Sequence, residues 1–370
     1  MALTLHGTVA DNTAVLSRPN AKPLIINGDM QVAQRATSAT GLTGSSYPVI
    51  DRIFMRLNDV GTYTITQDSD VPEGYGFSKS MKIDCTTAND SLEAADFMFV
   101  NMRFEKQDMR IFNKGTSSAK KITCAAWVKS PKTGTHVVGL YDAQNNRYNM
   151  QTYTISSANT WTKAIVTFPA DTAGDEMAVD NTHGMNLQFW FAAGSNYTSG
   201  SAATAWESYT AANQAVGQVD CSDSTNNNIL ITGMQMEVGE FDANSIAPFQ
   251  HESFGDSLSR CQRYLYDPLR GSASFGVLAL GVCLSTTICR TVIFAPAEMR
   301  TTPTIVTSGT IEVAGDNFSP QVTSTAVSGR TGTQAMEVQF NVGSGLTSGE
   351  GAIVRRDNND TAQFRLDAEL

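Results

Sequence analysis

The sequence predicts an all-β chain: a jelly-roll β-sandwich, then a short helix, then a second, smaller C-terminal β domain. Three observations point there. Apolar residues alternate with polar ones at period two through many short runs, the pattern of strands with one buried face. Polar clusters such as Lys132-Thr133-Gly134, Asn145-Asn146 and Asn226-Asn227-Asn228 separate the runs, and such clusters make turns. Only the stretch near 254–266 carries a helical stripe. The expected organisation is an N-terminal arm (1–26), the sandwich (27–250), a helical hinge (251–268) and the C-terminal β domain (269–370).

The arm is polar, with Leu3, Leu5 and Val9 alternating, and Pro19 and Pro23 argue against a helix. In the sandwich, Tyr63 and Ile65 alternate with Thr62, Thr64 and Thr66. Met98, Val100, Met102 and Phe104 share one strand face. So do Ile122, Cys124, Ala126 and Val128, with Thr123, Trp127 and Lys129 opposite. Leu187, Phe189 and Phe191 follow, then the run Leu230 to Val238. Many strands without interleaved long helices indicate an antiparallel sandwich.

Ser253 with Asp256 resembles a capping box, and Leu258, Cys261, Tyr264 and Leu265 form one stripe that Asp267-Pro268 ends. Beyond it, Phe275 to Leu284 reads as a strand buried on both faces. Met336, Val338, Phe340 and Val342 alternate cleanly, as do Phe364, Leu366, Ala368 and Leu370. A strand that stays apolar to the last residue needs a cover, expected to be a neighbouring subunit. No repeat at a fixed period is visible.

Charged residues are 17% of the chain, against about 25% in a typical globular protein. Thr, Ser, Asn and Gly take their place, which suits an extracellular-facing β protein better than a helical cytosolic enzyme. The net charge is -10, and an acidic surface repels phosphate, so no nucleic-acid partner is expected. Met1 to Ala10 shows no secretion signal, and no run approaches the ~18–20 apolar residues of a membrane span. Six scattered cysteines lack any C-x-x-C pair and read as reduced, buried thiols.

The same reading disfavours catalysis. His6, His136, His183 and His251 have no metal-ligand spacing, and nucleotide-binding and nucleophile-elbow motifs are absent. Asp96, Glu105, Glu207 and Glu237 are candidate carboxylates for cleaving a glycosidic bond, but they lie in unrelated contexts. Asp68-Ser69-Asp70 and Asp357-Asn358-Asn359-Asp360 are oxygen-rich but lack a calcium-loop ladder, and turn chemistry explains them. No enzyme activity, metal or cofactor is expected.

Aromatic residues remain. Trp127 and Trp190 fall mid-strand, where packing is the ordinary role of the ring. Trp206 and Tyr209 follow the Ser/Gly/Ala-rich stretch Ser195 to Thr204, and binding residues sit on loops. These two are the ligand contacts expected from the sequence.

Several stretches together resemble bacteriophage tail-fibre or minor tail proteins with a carbohydrate-binding-like jelly-roll domain. They are Leu24 to Arg35 (LIINGDMQVAQR), Ala126 to Ser130 (AWVKS), Ile231 to Gly239 (ITGMQMEVG), Ala247-Pro248-Phe249, Cys261 to Tyr264 (CQRY), Met299 to Thr304 (MRTTPT) and the terminal Leu366 to Leu370. Met234 and Met236 stand where Val and Leu are more usual. The resemblance implies a homotrimeric virion protein, assembled in the host cytoplasm. It would dock on other virion proteins through its arm and adhere to a host-surface glycan without inserting in the membrane. The rival readings are a head-fibre, decoration or collar component with no receptor role, and a capsule depolymerase.

Overall fold

The computed structural model describes residues 22–329 and 331–370, so residues 1–21 of the expected arm lie outside the described residues. Strands make up 41% and helix 7%. The chain divides into two compact units. The first comprises residues to Gln31, Ser38–Pro48 and Ile53–Ser253; the second comprises Val32–Thr37, Val49–Arg52 and Phe254–Leu370. Two short segments that the sequence reading set inside the span 27–250 thus belong to the second unit.

The first unit is an antiparallel jelly-roll sandwich. Its strands are β1 (Ser38–Ser46), β2 (Ile53–Asp68), β3 (Ser80–Thr87), β4 (Phe97–Glu105), β5 (Ile122–Lys129), β6 (Gly134–Asp142), β7 (Arg147–Ile155), β8 (Thr162–Phe168), β9 (His183–Ala193), β10 (Glu207–Ser208) and β11 (Asn228–Val238). They hydrogen-bond in the order β10-β7-β6-β9-β4-β2-β3-β11-β5-β8, with β1 alongside β2. β2 serves both layers: Ile53 to Asn58 pairs with β4, and Thr62 to Asp68 pairs with β3. Between those halves Asp59 (φ 48°) and Gly61 (φ 99°) adopt left-handed backbone, which turns the strand from one layer into the other.

Period-two alternation fills the interior. Met98, Val100 and Met102 of β4, Cys124, Ala126 and Val128 of β5, and Leu187, Phe189 and Phe191 of β9 are all essentially inaccessible. Two of the stretches singled out in the sequence meet here, since the Met234 N–H donates to the Gly28 carbonyl at 2.9 Å. Gly233 sits at φ 62° in a bulge of β11, and a Cβ there would lie 2.6 Å from the Phe77 ring. Any larger residue would break this corner.

The second unit has strands β12 (Leu265–Tyr266), β13 (Val277–Cys283), β14 (Ile288–Phe294), β15 (Thr304–Ser308), β16 (Ile311–Ala314), β17 (Val322–Val327), β18 (Ala335–Val342), β19 (Gly351–Arg356) and β20 (Gln363–Asp367). A six-stranded sheet, β16-β19-β13-β14-β18-β17, and a three-stranded one, β12-β20-β15, enclose a core containing Val338, Phe340, Val354, Phe364 and Leu366. Phe340 and Phe364 lie 5.7 Å apart, centroid to centroid.

Three expectations are corrected. The helix spans Phe254–Gln262 and stops before Tyr264, because Leu265 and Tyr266 pair with Leu366 and Asp367 of β20. Pairing with a distant strand overrides the local helical stripe. The terminal apolar strand is covered by its own chain, with Phe364, Leu366 and Ala368 at 0%, 0% and 3% exposure. The 275–284 run is not buried on both faces: Val277, Leu280 and Val282 are 55%, 73% and 49% exposed.

A buried charge cluster closes the second unit. Glu369 accepts from Arg52 and lies 3.4 Å from Arg35, which also reaches Asp367 at 3.2 Å. The Arg52 guanidinium stacks 3.4 Å from the Tyr264 ring centroid. Burial pushes the Asp51 carboxyl up, against the opposing pull of Arg35 and Gln34. Removing one member of a buried ionic cluster costs about 3 kcal/mol because it leaves charge under-compensated. Glu369→Gln is therefore expected to accelerate amide exchange in β12 and β20. All four tryptophans lie in the first unit, so the tryptophan-fluorescence transition should stay in place.

Candidate functional site

Alternation along β4 also defines its other face. With Met98, Val100 and Met102 turned into the core, Phe97, Phe99, Asn101 and Arg103 project from the opposite side of the sheet. Their cross-strand partners extend that surface in rows. Arg56 of β2 lies opposite Phe99, and Phe99 opposite Trp190 of β9. Asn101 lies opposite Gln188, and Arg103 opposite Asn186, which in turn faces Tyr141 of β6. This is a continuous aromatic and amide surface on a rigid sheet.

The segment from Gly194 to Gln214 folds over one side and turns the surface into a cleft of about 260 Å³. Tyr197, Tyr209 and Gln214 supply that wall. Rings pack along it: Phe99 against Trp190 at 4.4 Å, Phe97 against Tyr197 at 5.6 Å, and Tyr141 edge-on to Tyr209 at 5.4 Å. Beneath them Tyr148 lies across Gly139, where a Cβ would come 1.9 Å from the phenol oxygen. The Tyr148 hydroxyl accepts from Trp190 Nε1 at 3.2 Å, and its single proton has two acceptors in range, Gln188 Oε1 (3.3 Å) and the Gln214 carbonyl (3.2 Å). Glycine at 139 is what lets this floor form.

Burial raises the pKa of Tyr141, Tyr197 and Tyr209, so at neutral pH each presents a neutral phenol. Asn101 differs from its neighbours. It is 2% exposed, yet its Oδ1 has no hydrogen-bond partner. A buried amide oxygen without a donor costs roughly 1–3 kcal/mol, and it lines the cleft.

The two residues expected from the sequence part company here. Tyr209 lines the cleft, 37% exposed, with its hydroxyl 3.3 Å from Gln214 Oε1. Trp206 is not among the lining residues. It is an anchor: its Nε1 donates to the Pro169 carbonyl at 2.7 Å, and Lys114 Nζ sits 4.4 Å from its ring centroid. That lysine is 2% exposed and bridges Asp142 (2.6 Å) and Asp171 (2.5 Å). Arg147 grips Asp171 with two hydrogen bonds, 2.8 and 2.9 Å, and reaches the Trp206 carbonyl at 3.2 Å.

Trp190, expected to pack, is 1% exposed but forms part of the cleft floor. Trp127 lies tilted against exposed Tyr75, centroids 4.5 Å apart, in a separate groove of the same unit. Of the four candidate carboxylates, none lines the cleft. Asp96 accepts from Asn89 and the Glu93 N–H, Glu105 from Gln107, and Glu207 from Asn213. Among the described residues no group of His, Cys, Asp and Glu is placed to hold a metal. Asp68 accepts from the Asp70 N–H at 2.8 Å, a turn, while Asp70 takes Lys129 and the Trp161 indole. All six cysteines are buried and unpaired. No described helix is long and apolar enough to cross a membrane.

The sequence reading missed Arg56, Phe97, Phe99, Asn101, Gln188 and Tyr197. The signal was present for four of them. Once one face of β4 and β9 is assigned to the core, the intervening residues must face out, and they are aromatic or amide-bearing where a plain solvent face would carry Lys, Glu and Thr.

Fold and site together define a two-layer β-sandwich with an aromatic, amide-lined cleft on an outer sheet face. No protein-family profile matches the chain, and no curated protein matches it. Among solved structures it is similar to the enzymatically active domain of tailspike protein 4 of bacteriophage CBA120, at 14% identity and a TM-score of 0.30, over 58% of this chain and 21% of that one. It is also similar to a putative sugar binding protein of Bacteroides thetaiotaomicron (12%, TM-score 0.31, 59% and 100% covered). A third is a family 11 carbohydrate-binding module of Clostridium thermocellum (10%, TM-score 0.26, 59% and 95% covered). The match spans about a fifth of the tailspike chain. The resemblance to phage tail-fibre proteins rests on the sequence motifs.

The buried network makes a pH-dependent prediction. Burial pushes the Asp171 carboxyl up, but hydrogen bonds from Arg147 and Lys114 outweigh it and hold the group below its ordinary value. A depressed carboxylate stabilises the fold fully above its unfolded pKa of about 4, and that contribution is lost as pH falls through the folded value. Asp171→Asn should lower the tryptophan-fluorescence melting midpoint at pH 7. It should also flatten the fall in that midpoint below pH 4. A variant matching wild type at both pH values would contradict the network's role.

Proposed function

We propose that the cleft binds a carbohydrate and that the protein is a bacteriophage virion component of tail-fibre type that adheres to host-surface glycan. The observation that carries the binding half is Asn101, a buried amide oxygen without a donor at the floor of an aromatic cleft. A sugar offers what such a site lacks: hydroxyl donors around its edge and C–H faces that lie flat on rings. The amides of Gln188 and Gln214 and the neutral phenols of Tyr141, Tyr197 and Tyr209 add donors and acceptors of the same strength. Charged catalytic pairs are not part of this arrangement, and the reading is of a binder without hydrolytic activity.

The virion half is supported by the ordered sequence motifs from Leu24 to the terminus. The proposal includes a homotrimer docked on the particle through residues 1–26. Its support is the outer face of the six-stranded sheet, where Val277, Leu280, Val282, Val292 and Phe294 are 49–73% exposed and Leu280 lies opposite Ile353. A soluble chain rarely leaves such a contiguous apolar face in water. Three linked cleft sites would raise avidity by 10²-fold or more over weak individual contacts, an order-of-magnitude expectation.

Asn101→Leu tests the binding half. Replacing a buried unsatisfied amide by an apolar group of similar size is near neutral or stabilising. The variant should therefore melt no lower than wild type, yet bind oligosaccharides released from host-surface polysaccharide about ten-fold more weakly by calorimetry. Wild-type protein that binds none of these fragments, and leaves phage adsorption unchanged in excess, would replace the adhesin with a purely structural component. For the assembly, sedimentation should show a trimer at micromolar concentration, and Leu280→Asp should convert it to monomer. A monomeric wild type would remove the assembly from the proposal.

A further inference from the structure

Resting on the reading of the cleft as a glycan site, we propose that it selects an acidic sugar, whose carboxylate is received by the Arg56 guanidinium.

Charge in the cleft runs against charge in the chain. Acidic residues number 36 against 26 basic ones, yet among the described residues the only charged side chains lining the cleft are Arg56 and Arg103. Arg56 makes no hydrogen bond and no ion pair among the described residues. Its contacts are rings: the guanidinium carbon lies 5.3 Å from the centroid of Phe97 and 5.8 Å from those of Phe54 and Phe99. Aromatic faces hold the plane of the cation and leave the N–H edge to find an acceptor. Arginine is ordinarily matched by a carboxylate where it is withdrawn from water, through two parallel hydrogen bonds.

Among the described residues no carboxylate fills that role. Asp96, whose charge is felt at Tyr197, is already taken by the Asn89 amide and the Glu93 N–H, at 3.2 and 2.8 Å. Glu207 on the covering segment accepts from Asn213 at 2.7 Å. Desolvation first, and then the nearby Arg103 charge, lower the pKa of Arg56, so an anion in the cleft would relieve both. A neutral hydroxyl could accept from the guanidinium but would leave the Arg56 charge without a counter-charge. An acidic sugar satisfies Arg56 with its carboxylate and Asn101 Oδ1 with a hydroxyl, and it places a ring face against the aromatic wall.

The test uses the full-length protein and tetrasaccharides of mannuronate, guluronate and galacturonate, each beside its carboxyl-reduced neutral form, with affinities from calorimetry. At least one acidic member is expected to bind ten-fold or more tightly than its reduced counterpart, the worth of a charge-assisted hydrogen bond. Arg56→Gln should shrink that preference to two-fold or less, and Arg56→Lys, which keeps the charge but not the fork, should retain part of it. Reduced forms binding as well as or better than every acidic form would overturn the acidic preference while leaving the glycan site intact. An acidic preference that survives Arg56→Gln undiminished would overturn the assignment to Arg56. If neither form of any sugar binds, the glycan reading itself fails and this inference with it.

Discussion

The candidate site depends on one buried cation. Lys114 bridges Asp142 at the end of β6 and Asp171 beyond β8, and Arg147 at the start of β7 completes the cluster. The part of the covering segment that carries Tyr209 is attached to it. Asp142 also accepts from the Asn145 N–H and side-chain amide, which shapes the turn between β6 and β7. Asn146 of that turn then accepts from the Tyr141 hydroxyl and from the Tyr209 N–H. Lys114 and Arg147 meanwhile hold the ring and carbonyl of Trp206. A buried ionic cluster of this kind adds little net stability over an apolar substitute, but its geometry is single-valued. Its work here is to fix where Tyr209 stands.

This explains which parts of the molecule were legible in the sequence. Strand interiors were: the runs at Met98, Ile122, Leu187 and Met336 are strands that bury the residues expected, because period-two alternation is a local property of the chain, while the run from Leu230 is a strand that a bulge at Gly233 interrupts. The turn at Asn145-Asn146 was also readable, as polar residues suited to φ > 0. What sequence reading could not supply was the partner of each turn. Trp206 and Tyr209 are three residues apart in a stretch of similar composition, and both read as loop aromatics. Their roles separate only when Lys114 and Pro169, far away in sequence, are placed beside the first, and Tyr141 and Gln214 beside the second.

The second unit shows the same limit from the other side. The apolar strand Phe364 to Ala368 was correctly seen to need a cover, but the cover is β12, β15 and the core around Phe340. The segment Leu265-Tyr266 leaves the helical pattern for that purpose. The neighbouring run from Val277, read as doubly buried, leaves one face to solvent. Composition states that a surface must be covered. It does not state by which chain, since contacts at long sequence separation carry no periodic signature.

A fold that satisfies its own rules makes the exceptions informative. Elsewhere in the two units buried polar groups are matched, as Arg52 is by Glu369, Gln34 by Asp51 and Gln235 by the Ala247 carbonyl, while others, such as Asn149 Nδ2 and Asn228 Oδ1, are not. What sets Arg56, half-buried, and Asn101 apart is that they meet within one cleft, on adjacent strands of one sheet face, among rings that would be costly to wet. Each is a small local loss of stability, and real proteins concentrate such losses at functional sites. The two defects are complementary in kind, one lacking an acceptor and the other lacking a donor. An apolar ligand would satisfy neither, and a simple anion only the first. A molecule that carries an anionic group and hydroxyls on one rigid ring satisfies both at once.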